Sequence, residues 1–186
     1  MKRIIPIIMV ALLLVGCSNS SSSVDRFLLL REKSRNSSQC LFDAAVTIDY
    51  GDSAYSFSAS CKTDTNNNML ISIVEPEAIS GIQAEISGDA GKITFDDQIL
   101  AFEMIANEQI APICLPWLMM KALYGGYISS SGVSDELTFA RIDDTYNQTE
   151  FSVEIWLNNA GQLSDAEILW DGRRIASIKI DNFVLM

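Results

Sequence analysis

Apolar and polar residues alternate with a period of two over much of this 186-residue chain. In the clearest stretch every second residue from Cys40 to Ile48 is apolar, and the alternation resumes from Tyr55 to Cys61 after a turn at residues 50–52. Successive side chains of a strand point to opposite faces of its sheet, so this pattern predicts a half-buried β-hairpin.

Further short apolar or alternating stretches follow, each separated from the next by glycine, proline, asparagine or aspartate. Such spacing is typical of an antiparallel meander, because the turn residues are too few to allow crossover connections. The predicted strands are residues 69–74, 82–86, 92–95, 99–104, 137–142, 150–157, 163–170 and 173–184.

Two segments depart from the strand pattern. Residues 24–35 predict a short amphipathic helix with Asp25 as a possible N-cap. Residues 113–124 form a dense apolar block in which Lys121 is the only charge, with prolines at its start and Gly125 after it. A helix that is apolar on nearly all sides must be buried, so we expect a mainly β, α+β domain with this helix inserted between strands.

The N-terminus has the order of a bacterial lipoprotein signal. Lys2 and Arg3 precede an apolar run over residues 4–15, and Gly16 and Cys17 follow it. The run is shorter than the ~20 apolar residues of a spanning helix. We expect cleavage after Gly16 and lipid attachment at Cys17, the alternative being an ordinary secretory signal with a chance cysteine.

These boundaries divide the chain into three parts. Residues 1–16 are the expected signal peptide, residues 17–23 the lipidated cysteine with a serine-rich tether, and residues 24–186 a single domain. The expected location is extracytoplasmic, with the domain anchored to a bacterial membrane.

Charge and composition exclude several kinds of function. The net charge of -11 argues against nucleic-acid binding, and the absence of histidine removes Ser-His-Asp and Cys-His chemistry and the commonest metal ligand. Asp143 and Asp144 leave a calcium site open, although their spacing does not match an EF-hand, and the acidic pairs are better interpreted as polar turns. We expect no enzyme, no metal and no cofactor.

The cysteines suggest a register for the first hairpin. Placing Cys40 opposite Cys61 makes every inward pair apolar, whereas a slip of one residue would put apolar side chains on opposite faces. This register predicts a Cys40–Cys61 disulfide, worth ~3 kcal/mol in the chain-entropy model. The alternative is two buried free thiols on one face. Cys114 is expected to be a buried, inert thiol.

The order of elements is similar to the bacterial lipoprotein-carrier and receptor family, LolA and LolB. The resemblance rests on residues 42–46 (Phe-Asp-Ala-Ala-Val), 73–76 (Ile-Val-Glu-Pro) and 156–161 (Trp-Leu-Asn-Asn-Ala-Gly), and on the proline-bounded helix between the strands. It implies an antiparallel half-open β-barrel with a helical lid, whose cavity holds acyl chains. The family's arginine after the strand-end proline has no counterpart here, so no arginine lock can be transferred.

The resemblance implies a membrane-anchored protein that binds an apolar ligand, a lipid or a lipoprotein acyl chain, and it implies no catalysis. The apolar helix is then a lid that lines the cavity, the alternative being a core helix packed tightly on the sheet. A second functional hypothesis is a non-catalytic cell-envelope module that docks a protein or polymer through its surface, with Trp156 as a possible contact. In either case we expect a monomer. The lid candidates are Leu115, Trp117, Leu118, Met119, Met120 and Leu123.

Overall fold

The computed structural model describes residues 19–88, 90–106, 109–146 and 149–186. The expected signal peptide and the lipid attachment site Cys17 lie outside the described residues. Within the described part, no helix is long and apolar enough to cross a membrane.

Two helices and thirteen strands make up the described chain, together with two 3-10 turns. The helices are α1 (Asn19–Asn36) and α2 (Leu115–Gly125), and the turns are Glu77–Ile79 and Pro112–Cys114. The strands are β1 (Cys40–Asp49), β2 (Ala54–Thr63), β3 (Met69–Glu75), β4 (Gln83–Ser87), β5 (Ala90–Phe95), β6 (Gln98–Glu103), β7 (Ile105–Ala106), β8 (Gln109–Ile110), β9 (Tyr127–Ser134), β10 (Leu137–Tyr146), β11 (Thr149–Leu157), β12 (Leu163–Trp170) and β13 (Arg173–Leu185).

Eleven of these strands form one antiparallel sheet in the order β6-β5-β4-β3-β2-β1-β13-β12-β11-β10-β9. The first and last strands meet at its centre, where Cys40 pairs with Leu185 and Ile48 with Ala176. The sheet does not close, because β6 and β9 are its two edges. The mainly β, antiparallel class predicted from the alternation is confirmed, and an open sheet covered by helices is consistent with a half-open barrel.

The alternation assigns one face of the sheet to the core. Along β1 the side chains alternate between buried and exposed from Phe42 to Asp49, and β11 and β12 carry the same kind of alternation. We call the face that carries the buried side chains the inner face. Helices α1 and α2 both lie on the inner side, where α2 contacts β10 to β13 and α1 contacts β9 and β10.

The predicted Cys40–Cys61 disulfide is wrong. Cys40 pairs with Thr63 and Cys61 with Phe42, and both thiols are free and buried. A disulfide needs Cβ atoms ~3.8 Å apart, whereas diagonal neighbours across an antiparallel pair are ~7 Å apart. The alternative of two buried free thiols on one face is the one found.

The error has a simple physical origin. A slip of one residue exchanges the two faces, but a slip of two leaves every apolar side chain inward, so alternation cannot distinguish the two registers. The turn decides between them. Asp49 pairs with Ala54, and the Tyr50 N–H donates to the Ser53 carbonyl at 3.0 Å. This four-residue connection replaces the two-residue turn that the predicted register required.

The helix α1 begins earlier than the sequence predicts. It starts at Asn19, so residues 19–23, expected to be part of a serine tether, are helical, and Ser23 is buried. Phe27 and Leu30 are buried as well, which attaches this helix to the core. The tether prediction is therefore wrong for residues 19–23, while the predicted helix over residues 24–35 is confirmed.

Two buried hydroxyl groups provide a test of the packing around this helix and the first hairpin. The Thr63 hydroxyl accepts a hydrogen bond from the Cys40 N–H at 3.0 Å, whereas the buried Ser34 hydroxyl has no hydrogen-bond partner. We expect Thr63→Val to lower the free energy of unfolding by ~1–3 kcal/mol, because it leaves a buried N–H unpaired. Ser34→Ala should leave it unchanged or raise it by up to ~1 kcal/mol. Urea denaturation measures both, and equal losses would contradict this packing.

Candidate apolar binding site

The helix α2 lies on the inner side of the sheet, over the half that β10 to β13 form. The Pro112–Cys114 turn leads into it, and Pro116 stands in its first turn, where a missing N–H costs nothing. It ends where the Gly126 N–H donates to the Ala122 carbonyl at 2.8 Å. This short helix therefore spans only a part of the inner face and needs contacts from neighbouring elements at both ends.

The six predicted lid residues all lie in the core. None is more than 5% exposed, and Leu115, Leu118, Met119 and Leu123 are completely buried. This burial agrees with the core-helix alternative for the arrangement in the structure. A ligand-contacting role for these six residues stays a prediction.

A pocket of about 320 Å³ opens beside α2, between this helix, the end of α1 and the turn that joins β2 to β3. Two of the lid candidates, Trp117 and Met120, belong to its wall, and the other four do not. The remaining lining is Arg35, Thr63, Asn66, Asn67, Met69, Gly88, Lys121, Tyr124 and Gly125. Sequence reasoning missed this part of the site, because the three elements are far apart in the chain and meet only in the fold.

The pocket has an apolar wall and a polar rim. Met69, Trp117 and Met120 are almost entirely buried, and the Tyr124 ring is buried beside Thr63, with 3.5 Å between the two hydroxyl oxygens. At the rim, the Lys121 ammonium lies 5.3 Å from the centre of the Trp117 ring, a cation–π geometry. Such a combination of an apolar wall and a few polar groups is typical of small-molecule sites.

The turn that borders the pocket is held by an aspartate. The Asp64 carboxylate accepts hydrogen bonds from the N–H groups of Asn66 and Asn68 at 2.8 and 3.0 Å, and from the Asn68 amide at 2.9 Å. The Asn68 side-chain bond is the first cause of a lowered Asp64 pKa. The hydrogen bonds fix the turn and place Asn66 and Asn67 at the mouth of the pocket.

An arginine of α1 holds the C-terminal end of α2. The Arg31 Nε donates to the Leu123 carbonyl at 2.6 Å and its Nη2 to the Gly126 carbonyl at 2.8 Å. The last carbonyls of a helix have no partners within it and carry partial negative charge, so a guanidinium is well suited to them. Burial lowers the pKa of Arg31, and Arg35 lowers it further, but a guanidinium stays charged at neutral pH.

A second concavity lies on the outer face and has a different character. This open groove of about 690 Å³ runs over β1 and β2 to the end of β3, and its lining includes Ser56, Ser58, Glu75 and Glu77. The groove also has apolar lining residues, Phe57 and Val74 among them, but it is more open than the pocket beside α2 and has two carboxylates, which disfavour an apolar chain. The groove beside α2 is therefore the better candidate for an apolar ligand.

Trp156 lies half-buried, opposite Phe139 of the neighbouring strand β10. The Phe139 ring in turn covers Gly132, where an added Cβ would meet its Cε1 atom at 2.8 Å. This packing agrees with a side chain that covers the sheet, and a contact role for Trp156 stays a prediction.

The described residues include few candidates for nucleophilic catalysis or metal binding. Burial raises the pKa of the Cys40 and Cys114 thiols to about 12 and raises that of Cys61 as well, so these thiols are protonated at neutral pH. No group of three or more Cys, Asp or Glu in the described part of the chain is placed to hold a metal ion. The calcium alternative involves the Asp144 side chain, which lies outside the described residues.

Comparison with known proteins supports the fold. No family model and no curated protein matches the sequence. A DUF1329 family protein from Desulfovibrio piger is 10% identical with a TM-score of 0.50, over 90% of this chain and 93% of that one. A LolA superfamily protein from Nitrosomonas europaea is 12% identical with a TM-score of 0.46, over 91% and 94%. The lipoprotein LppX from Mycobacterium tuberculosis is 10% identical with a TM-score of 0.43, over 87% and 93%.

The chain shares its overall fold with the DUF1329 family protein. At these identities the likeness extends to the fold alone.

The Arg31 contact with α2 can be tested by mutation. Arg31→Gln removes the charged fork from the helix end, and we expect it to lower the free energy of unfolding by ~2 kcal/mol, since hydrogen bonds to charged groups contribute ~1.5–3 kcal/mol. Lys33→Gln, on the exposed side of the same helix, removes the same charge and should change it by less than ~0.5 kcal/mol. Equal effects of the two substitutions in urea denaturation would show that Arg31 does not hold α2.

The buried thiols predict a stability that falls at alkaline pH. Unfolded thiols ionise near pH ~8.5, whereas the folded Cys40 and Cys114 thiols have a pKa of about 12. Above the unfolded value the folded state binds more protons than the unfolded state, so the free energy of unfolding decreases as pH rises. Denaturation at successive pH values should show this loss begin near pH ~8.5. Cys114→Ala should make the decline shallower, and an unchanged slope would contradict the assignment.

Proposed function

We propose that this protein is an extracytoplasmic binding protein, lipid-anchored through Cys17, for an apolar ligand such as a lipid or the acyl chain of a lipoprotein. The observation that carries the proposal is the pocket beside α2, because its wall is built from buried apolar side chains of the helix and of β3. The sequence resemblance to the lipoprotein-carrier and receptor family supports the same class of ligand.

The wall of the pocket suits ligands of variable shape. Met69 and Met120 line it, and Met104 and Met119 are buried in the same core. Methionine has a flexible, polarisable side chain that adapts to irregular apolar surfaces. Each Å² of apolar ligand surface removed from water in such a site contributes ~25 cal/mol.

The pocket volume sets a limit on the ligand that enters without rearrangement. About 320 Å³ is near the lower end of the ~300–1,000 Å³ typical of small-molecule sites. A longer chain requires α2 to move away from the sheet. That movement would leave the sheet intact, because the helix has its own backbone hydrogen bonds and is held to α1 by the Arg31 side chain.

A lipid on Cys17 would place the protein at a membrane surface. If Cys17 carries lipid, α1 begins two residues later at Asn19, and the buried Phe27 and Leu30 fix the same helix to the core. The domain would then be held close to the membrane surface, which favours receiving a lipid there over carrying one through solution. The proposed activity is binding and release, with no catalytic step.

A second candidate function has its own observation. The edge strand β6 leaves Ile99 71% and Leu100 66% exposed, and residues 98–102 carry no charge. Edge strands that lack charges are open to pairing with an extended segment of another protein. In this alternative the protein is an envelope module that docks a protein partner, and Leu100→Lys would abolish docking while leaving lipid binding unchanged.

Ligand binding can be tested with residues 18–186 by native mass spectrometry in the presence of palmitate. We expect a one-to-one adduct. Asn66→Trp places a bulky ring at the mouth of the pocket and should weaken binding at least fivefold, a loss of ~1 kcal/mol. Asp52→Trp, in the exposed turn between β1 and β2, is the matched control and should bind as the unmodified protein does. Absence of any adduct, or equal binding by both variants, would reject the α2 pocket as the site.

A further inference from the structure

We propose that the edge strand β6 pairs with β6 of a second copy of this chain and forms a two-fold symmetric dimer. The two sheets continue into each other through an antiparallel β6–β6 pair centred on Ala101. This inference goes beyond the proposed function and does not depend on the ligand of the α2 pocket. It differs from the monomer expected from the sequence, and a measurement of the oligomeric state distinguishes the two.

Strand β6 is the less protected of the two edges of the described sheet. Ile99 and Leu100 are 71% and 66% exposed, Ala101 is exposed as well, and residues 98–102 carry no charge. The pairing of β6 with β5 runs without a register shift. The other edge strand, β9, lies beside α1 and pairs with β10 through a register shift, and both features protect an edge. A regular, uncharged apolar edge is open to pairing with another strand.

The β5–β6 hairpin determines which backbone groups of β6 point outward. Phe95 and Gln98 flank a two-residue turn of Asp96 and Asp97, both of which have the positive φ of a type I′ turn. The turn makes Phe95 and Gln98 a hydrogen-bonded pair, and such pairs alternate with non-hydrogen-bonded ones along an antiparallel ladder. Residues 99, 101 and 103 therefore direct their N–H and C=O groups away from β5.

The inner face of the sheet can continue across the junction. Phe102 is opposite Gly91, which is opposite the buried Ile86 of β4, so Phe102 and Leu100 lie on the inner face. In a pair centred on Ala101, Leu100 of one copy is opposite Phe102 of the other. Aromatic and aliphatic side chains in opposite positions stabilise an antiparallel pair.

Charge selects this register. Pairs centred on Ala101 or on Leu100 overlap the two strands most fully. With Ala101 at the centre, Glu103 is opposite Ile99 of the second copy, and no like charges are directly opposite. With Leu100 at the centre, Glu103 would be opposite Asp97, and like charges in opposite positions destabilise a pair. The register centred on Ala101 also gives partners to all the outward groups of residues 99–103, about six hydrogen bonds in total.

The symmetry of the dimer suits two copies on one membrane. The two-fold axis of an antiparallel pair is perpendicular to the sheet, so the inner sides of both copies, which carry α1, face the same way at the junction. If Cys17 carries lipid, both anchors can then reach the same membrane. Such an isologous contact closes on itself and leaves no further β6 edge exposed.

Sedimentation velocity over a concentration series tests the association, using residues 18–186, which include every described residue. We expect a reversible monomer–dimer equilibrium with no larger species. Leu100→Lys places an ammonium group opposite Phe102 of the second copy and should raise the dimer dissociation constant roughly tenfold or more. Val133→Lys, at a similarly exposed apolar position of the other edge strand β9, is the matched control and should leave the constant unchanged.

Disulfide crosslinking tests the register. Opposite residues of a hydrogen-bonded pair have Cα atoms ~5.5 Å apart, within the range of a disulfide. Oxidation by molecular oxygen should therefore link two copies of Ala101→Cys. It should not link two copies of Ile99→Cys, because these cysteines lie ~14 Å apart along the strands. The native Cys40, Cys61 and Cys114 thiols are buried and do not compete.

Three results would overturn the inference: a chain that stays monomeric at every concentration, a dimer that Leu100→Lys leaves intact, or equal crosslinking of the two cysteine variants. Circular dichroism first establishes that each variant is folded, and the crosslinking of Ala101→Cys decides the question if Leu100→Lys does not fold. Each of these results leaves the proposed ligand standing, because none of the described residues that line the α2 pocket lies on β6.

Discussion

The structure depends on the burial of one face of an open antiparallel sheet. The buried apolar side chains of the strands lie on the inner side, and because β6 and β9 do not pair with each other, the sheet cannot bury this face by closing on itself. The helices α1 and α2 must therefore cover it. The composition of α2 follows from this requirement, since a helix surrounded by the sheet, by α1 and by the segment that leads into it has almost no face left for water.

The same requirement explains which features the sequence could predict. Alternation identifies the strands and their inward faces, and an apolar block with prolines at its start identifies a buried helix, because both signals are local. Register is different. The pairs Cys40–Cys61 and Cys40–Thr63 differ by two residues and put the same side chains inward, so only the length of the turn after Asp49 distinguishes them. Likewise, residues 19–23 have the serine-rich composition of a flexible tether. They are helical because they continue a helix that buried residues such as Phe27 fix to the core.

Only the part of the candidate site that lies on α2 could be predicted from local sequence patterns. The apolar composition of one helix and the family resemblance predict six ligand contacts, and two of them, Trp117 and Met120, line the pocket. Arg31 and Arg35 belong to a different helix, and Asn66 to a turn, with nothing in their local sequence to connect them to α2. The contact of Arg31 with the Leu123 and Gly126 carbonyls joins α1 to the α2 backbone across residues that are far apart in the chain.

A core that α2 fills can still admit the proposed ligand if α2 moves away from the sheet. The helix α2 can move without breaking the backbone hydrogen bonds of the sheet, because apolar packing and side-chain contacts, those of Arg31 and the Tyr124–Thr63 hydroxyl pair among them, hold it in place. Little packing energy is lost when an acyl chain takes the place of another apolar neighbour of a methionine side chain, because methionine adapts its conformation. The charge-assisted hydrogen bonds from Arg31 to the carbonyls at the helix end are a specific interaction that resists displacement. The free energy of ligand binding is therefore set against the contacts that hold α2, of which those of Arg31 come from the helix that follows the proposed anchor Cys17.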